Sequence, residues 1–356
     1  MTVPFVPGIE LAGAFFAEVV RPLLDAAFPR LRYAAALLGP GSEVLGYDGG
    51  RSADHDWGPR LRLFLAAGDT GRHAAGITAM LSSRLPATFR GYPTAFPSAR
   101  EPDGVARHRV GVGALGRWLT GQLGFDPRRS ITVTDWLATP TQRLAEVTGG
   151  SVFHDGPGDL NRARARLSWY PRDVWLHVLA CQWQRIAQEE AFPGRCAEAG
   201  DELGSAIVTA RLARDLMRLC LLMRRRYPPY SKWLGTAFAQ LPDSAALTAA
   251  LTAAVAATTW PARQRHLGHA YEAVAARHNE LGITGPLDTR TRPFFDRPYQ
   301  VLGAGRFATA LRREITSPQI RQLPAVGAVD QYVDSTDALL DTRFLHATAA
   351  ASQPAG

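Results

Sequence analysis

Lysine is almost missing from this chain. Of its 40 basic residues 39 are arginine, and Lys232 alone is lysine. The two side chains differ, since lysine carries a compact, mobile ammonium where arginine carries a planar fork. A lysine retained against such a bias suits a point charge aimed at a phosphate. Cysteine is also scarce. Cys181, Cys196 and Cys220 are odd in number and lack zinc-type spacing, which excludes a disulfide framework and a cysteine zinc site and leaves buried or free thiols. Long hydrophobic runs are missing too. The most apolar stretch, LAGAFFAEVVRPLLDAAF (11–28), is broken by Glu18, Arg21 and Asp25 and has no basic start or cleavage site. It reads as an amphipathic helix rather than a membrane span or signal peptide, so a cytoplasmic protein without a membrane partner is expected.

What is present describes a globular chain. The length of 356 residues, with 46% hydrophobic and 20% charged content, is enough for two or three domains and an ample core. A net charge of +8 favours a polyanionic partner. The basic residues are nevertheless spread along the chain, as in RARAR (162–166) and RRR (224–226), with no basic tail or aromatic-interleaved motif. A nucleotide-handling surface fits this better than an RNA groove, and RNA remains the alternative partner.

Hydrophobic periodicity divides the chain. Up to about residue 150 it predicts α+β structure: a helix over 8–28, an apolar strand over 32–38, an alternating strand over 60–65, a helix over 72–85, an extended segment over 107–113 and a Pro-rich loop over 92–104. Pro59, directly before the alternating strand, predicts a bulge or an edge there. From Leu160 onward helices dominate, over 160–168, 171–191, 200–226, 244–257, 261–281 and 304–314. The expected domains are 1–155, a mixed sheet flanked by helices, and 156–345, mainly helical with a loop-rich C-terminal part, followed by a disordered tail at 346–356.

The segment with most chemistry is GPGSEVLGYDGGRSADHD, residues 39–56. Gly41 and Ser42 follow the apolar run 33–38, so they end a strand and open a short helix whose free N–H groups suit a phosphate. If 53–57 is extended, its period of two puts Asp54 and Asp56 on one face, where paired carboxylates suit Mg²⁺.

Gly41-Ser42 followed by Asp54-His55-Asp56 resembles the signature of the nucleotidyltransferase superfamily related to DNA polymerase beta, with Gly46 and Ser52 also in familiar places. A further resemblance, to the family called domain of unknown function 4037, runs through SADHDWGPR (52–60), GSVFHDG (150–156), QWQRIAQEEAF (182–192), PYSKWLGTAF (229–238) and DRPYQVL (296–302). These resemblances imply a polymerase-beta-like nucleotidyltransferase domain followed by a helical domain. They imply transfer of a nucleoside monophosphate from a Mg²⁺ (or Mn²⁺) NTP, with ATP as the expected donor, to a hydroxyl of a small-molecule acceptor, as in aminoglycoside adenylyltransferases. The alternatives are an RNA or protein acceptor, or a nucleotide-binding protein whose catalysis has decayed.

The resemblance assigns Asp54 and Asp56 to metal and catalysis, Gly41, Ser42 and Lys232 to the phosphates, and Arg60 to a supporting role there. A third acid is usual in the superfamily on a neighbouring strand, yet 107–115 offers Gly111 and Gly113. Asp135 is a substitute in principle, although its context also reads as a helix N-cap. Glu189 and Glu190, on a helix with Gln182 and Arg185, are the candidates for a base drawn from the helical domain, or are solvated acids paired with Arg185. Trp169, Trp175, Trp183 and Trp233 serve either as core or as stacking platforms.

Overall fold

The computed structural model describes residues 4–54, 57–66, 68–97 and 105–351, and of Ala53 and Asp54 the backbone alone. In chain order the elements are α1 (Gly8–Phe15), a π-helical turn (Phe16–Val20), α2 (Arg21–Ala27), β1 (Tyr33–Leu37), β2 (Arg60–Leu65), α3 (Asp69–Arg84), β3 (Thr88–Phe89), β4 (Tyr92–Pro93), β5 (Ala95–Phe96), β6 (Arg107–Ala114), α4 (Leu115–Leu123), α5 (Val133–Ala138), α6 (Thr141–Thr148), β7 (Ser151–Asp155) and α7 (Asp159–Arg166). Then come α8 (Arg172–Glu189), α9 (Phe192–Glu198), α10 (Glu202–Met223), α11 (Ser231–Ala239), α12 (Ala245–Ala256), α13 (Trp260–Glu280), the β8–β9 hairpin (Arg292–Pro293, Gln300–Val301), α14 (Gly305–Arg313), α15 (Pro318–Arg321) and α16 (Thr342–Ala351). Among the described residues no helix is long and apolar enough to cross a membrane.

The chain divides into two compact units, Met1–Ile131 with Arg143–Ser168, and Thr132–Gln142 with Trp169–Gly356. The division falls at 168/169 rather than 155/156, because β7 pairs with β1 and α7 packs on β7. The short stretch 132–142 goes with the helical unit, where Thr141 donates its N–H to Asp330 and its hydroxyl to the Pro228 carbonyl.

The first unit is a mixed five-stranded sheet flanked by helices, in the order β5-β6-β2-β1-β7. β1 runs antiparallel to β2 and β7, while β2 and β6 are parallel. Alternation in β2 sends Leu61, Leu63 and Leu65 into a core with Leu11, Phe15 and Ile77, and turns Arg60, Arg62 and Phe64 to the other face. Pro59 marks neither a bulge nor an edge. It precedes the first residue of a central strand, where no ladder N–H is needed, and the register shift lies in the β1–β7 pairing, where Phe153 of β7 is skipped between the partners of Ala35 and Ala36.

The second unit is helical. α8 is buried on most sides and packs against α10 and α14, with Trp183 stacked on Phe307 at 4.4 Å between ring centroids. The tail expected to be disordered is helical through Ala351: α16 buries Leu345 and Ala349 in a small cluster with Ala138 and Val329.

Candidate functional site

One end of the sheet gathers the residues singled out in the first unit. Because Ala36 of β1 lies opposite Arg62 of the antiparallel β2, β1 ends where β2 begins. The Gly-Ser loop leaving β1 and the start of β2 at Arg60 therefore lie at the same end of the sheet. The parallel partner β6 starts there as well, with Arg109 beside Arg60.

The loop is anchored at both ends. Gly39 donates its N–H to the Glu146 carbonyl, and the Val44 carbonyl accepts from Gly150. Its middle turns through the 3-10 segment Glu43–Leu45, stabilised by Val44 N–H to Gly41 O at 3.2 Å and by Leu45 and Tyr47 N–H to Ser42 O at 3.2 and 2.9 Å. The expected short helix is thus a single tight turn. Among the described residues nothing accepts from the N–H of Gly41, Ser42 or Glu43, so three successive donors remain for an anion. Ser42 is partly exposed beside them.

Gly41 has φ +150°, and a Cβ there would collide with the Arg60 guanidinium and the Glu43 carboxylate. Arg60 donates from Nε to Glu43 Oε1 at 2.6 Å and from Nη2 to the Pro40 carbonyl at 2.7 Å. Glu43 is only 3% exposed. Sequence reasoning does not single out this acid. Its one signal is an ionisable residue directly after the Gly-Ser pair in an otherwise apolar turn.

Asp54 closes a 3-10 turn, Gly50–Asp54, so the segment 53–57 is not extended at its start and period-two spacing does not apply at Asp54. Ser52 fixes this turn through reciprocal bonds with Gly49. His55 and Asp56 lie outside the described residues. On their C-terminal side Trp57 is buried and donates its indole N–H to Asp48, which also accepts from Gly8 N–H at 2.7 Å. Asp48 thereby ties the end of the aspartate segment to α1.

The strand beside β2 carries no acid. Gly111 is paired with Arg62, and a Cβ on Gly111 would stand 3.3 Å from Arg62 Nη1. The room left by glycine is filled by that guanidinium, which also lies over the Trp118 ring at 5.6 Å. Asp135 is not the N-cap itself. Thr132 caps α5, and Asp135 completes a capping box by accepting from Thr132 N–H at 2.8 Å. Among the described residues no group of three or more His, Cys, Asp or Glu is arranged to hold a metal.

In the second unit, Glu189 pairs with Arg211 of α10 at 2.6 Å, not with Arg185, whose partners are Asp215 and the Gln331 carbonyl. Glu190 is buried and accepts from the N–H groups of Leu302, Gly303 and Ala304. Burial holds its carboxyl above the usual range in spite of these donors. Gln182 joins the same interior network through Asp215 and Gln331.

Lys232 is exposed near the start of α11, its ammonium 5.0 Å from the Trp233 ring centre. Trp175 and Trp183 are core, donating to the Leu222 carbonyl and to His278. Trp169 is half-buried against Tyr227. The thiols of Cys181 and Cys220 are no nucleophiles, since burial pushes Cys181 up to about 12 and Cys220 up to about 11.

No curated protein matches the chain. A nucleotidyltransferase-like protein from Exiguobacterium sibiricum 255-15 is similar at 12% identity and a TM-score of 0.32, over 86% of this chain and 89% of that one. The family described as "Domain of unknown function (DUF4037)" matches residues 136–234, a span that includes GSVFHDG and QWQRIAQEEAF but not Asp54 and Asp56.

Proposed function

We propose that the chain is a nucleotidyltransferase that moves a nucleoside monophosphate from an NTP, with ATP as the donor, to a hydroxyl of a small-molecule acceptor. The observation that carries this reading is the Gly-Ser loop at the end of β1, beside the start of β2, with the N–H groups of Gly41, Ser42 and Glu43 free of partners among the described residues.

Those amides and the Ser42 hydroxyl would receive phosphate oxygens. Asp54 and Asp56 would supply hard oxygen donors, the ligand type Mg²⁺ prefers, and the free amides of the Gly-Ser loop suit the phosphates that such an ion accompanies. When bound, the metal supplies charge neutralisation at the phosphate during in-line displacement. In the second unit Lys232 is the candidate for a phosphate-directed point charge. In the same unit Glu189, half-buried and paired through both oxygens with Arg211, is the candidate to receive the acceptor's proton, because Glu190 is buried against backbone amides.

A nucleotide-binding protein without turnover is the second reading. Its specific support is β6, where Gly111 faces Arg62 at the position in which the superfamily resemblance expects an acid.

Thermal unfolding with each NTP, with and without Mg²⁺, on wild type and Asp54→Ala, tests the proposal. A ligand at a hundred times its dissociation constant stabilises by about 2.7 kcal/mol. Stabilisation that needs both metal and Asp54 supports the site, and no shift with any NTP removes it. Labelled product formation then separates the first reading from the second.

A further inference from the structure

We infer that Arg60 and Glu43 form a positioning pair for the anion site. On this view the Arg60 guanidinium holds the Gly-Ser loop in its anion-receiving shape and cancels the charge of a carboxylate buried beneath that loop, without itself touching the phosphate. The inference deepens the nucleotide-binding reading and rests on it for the identity of the anion.

Three observations converge. Arg60 reaches the loop twice, through Glu43 Oε1 and the Pro40 carbonyl, so its fork spans the Gly-Ser pair from both sides. Gly41 is favoured by its φ of +150° and because the pair packs where a Cβ would be, which places guanidinium and carboxylate against a residue whose N–H has no partner among the described residues. Glu43 is almost fully buried and Arg60 is 17% exposed, so the ion pair is little screened by water.

The electrostatic consequence follows from position. A buried carboxylate adjoining three free amides would repel a phosphate, and in a medium of low dielectric that repulsion is large. Arg60 removes it. Because Arg60 is also the first residue of β2, the bond ties the loop to the strand that continues from Asp54 and Asp56. The anion-binding amides are thereby held against the start of β2, as a preorganised site requires.

The arrangement makes an asymmetric prediction that a merely structural ion pair does not. Affinities for MgATP and for adenosine, which lacks phosphate, are measured by titration calorimetry on wild type, Arg60→Gln, Glu43→Gln and the double variant. Arg60→Gln is expected to weaken MgATP by at least about tenfold, because it leaves the Glu43 charge unopposed beneath the phosphates. Glu43→Gln, which still accepts from Arg60, should bind MgATP at least as tightly as wild type. The double variant should recover part of the loss, since the unopposed charge is gone while the hold on the loop is not restored. Adenosine affinity should stay constant throughout.

Equal MgATP affinity in Arg60→Gln and wild type, or a double variant no better than Arg60→Gln, overturns the inference. If Arg60→Gln does not fold, the double variant is compared with Glu43→Gln: both lack the carboxylate charge, weaker MgATP binding by the double variant supports the loop-holding role, and equal binding rejects it. If wild type binds no MgATP, the nucleotide reading falls, and hydrogen exchange judges the pair by itself. Faster exchange of the Val44, Leu45 and Tyr47 amides in the double variant, with Leu61 and Leu63 unchanged, then supports the loop-holding role, and unchanged loop exchange rejects it.

Discussion

The N–H of Ala304 donates to Glu190 Oε1 at 2.9 Å, joining the C-terminal end of α8 to the loop that opens α14. With Leu302 and Gly303 donating to the other oxygen, one side chain satisfies three backbone groups in the interior of the helical unit. Glu190→Ala would leave them without a partner and is expected to cost ~3–5 kcal/mol, the range for breaking a buried charged network. Glu189→Ala removes only a bond to the largely exposed Arg211 and should cost under ~1 kcal/mol. Urea unfolding of the two variants checks the contrast, and equal losses would contradict it.

Asp54→Asn and Asp56→Asn are each expected to abolish Mg²⁺-dependent stabilisation by NTP while leaving the unliganded melting temperature close to wild type. The described core of the sheet is built from apolar side chains such as Leu61, Leu63 and Leu65, which a carboxylate-to-amide change leaves untouched. Retained metal-dependent stabilisation in both variants would remove the motif argument.

Lys232→Arg keeps the charge but replaces a compact ammonium over Trp233 with a planar fork. Nucleotidyl transfer should fall by about tenfold or more, in line with the loss of a phosphate contact that only the lysine shape permits. Unchanged turnover would make the lone lysine an accident of composition.

Stability should decline as the solution is acidified from neutral. His177 and His278 are buried, and desolvation holds each ring at about 4, against about 6.5 in an unfolded chain. Between those values the unfolded state binds more protons, so stability is lost as pH falls, on the order of 2 kcal/mol per histidine by pH 5. His278 also stands to lose a bond on protonation, since Nδ1 accepts from Trp183 N–H at 3.2 Å and a protonated ring nitrogen cannot. Unfolding free energies at pH 7 and pH 5 for wild type and His278→Gln test this, the variant being expected to show roughly half the wild-type loss. An identical loss in both proteins would acquit the ring.

Strands and helices with a clear apolar period are legible in the amino-acid sequence. β2 falls on the predicted 60–65, and α8, α10, α12 and α13 lie within a few residues of the expected helices. Short elements without a full period, α5, α9 and α11 among them, carry no such mark. α16 reads as a disordered tail in sequence because its alanines look featureless until Leu345 and Ala349 find Ala138.

The candidate site is legible in part. The Gly-Ser loop shows itself because a tight turn with free amides demands small residues, and the need for glycine at 41 follows from backbone and packing alone. Partners are not legible. Glu190 and Glu189 are neighbours of equal chemistry in sequence, yet one faces three amides in the interior and the other an arginine near solvent.

The sequence by itself determined where chain direction, burial and turning are local matters: which segments alternate, which turn, and where a lone lysine or paired aspartates stand. Tertiary structure alone decided which charge meets which. That Arg60 engages Glu43, that Arg62 occupies the room beside Gly111, and that Asp48 holds Trp57 depend on strand register and on contacts 9 to 49 residues apart in the chain. Long flexible side chains choose among such partners only once packing has fixed how far each can reach and how much water remains.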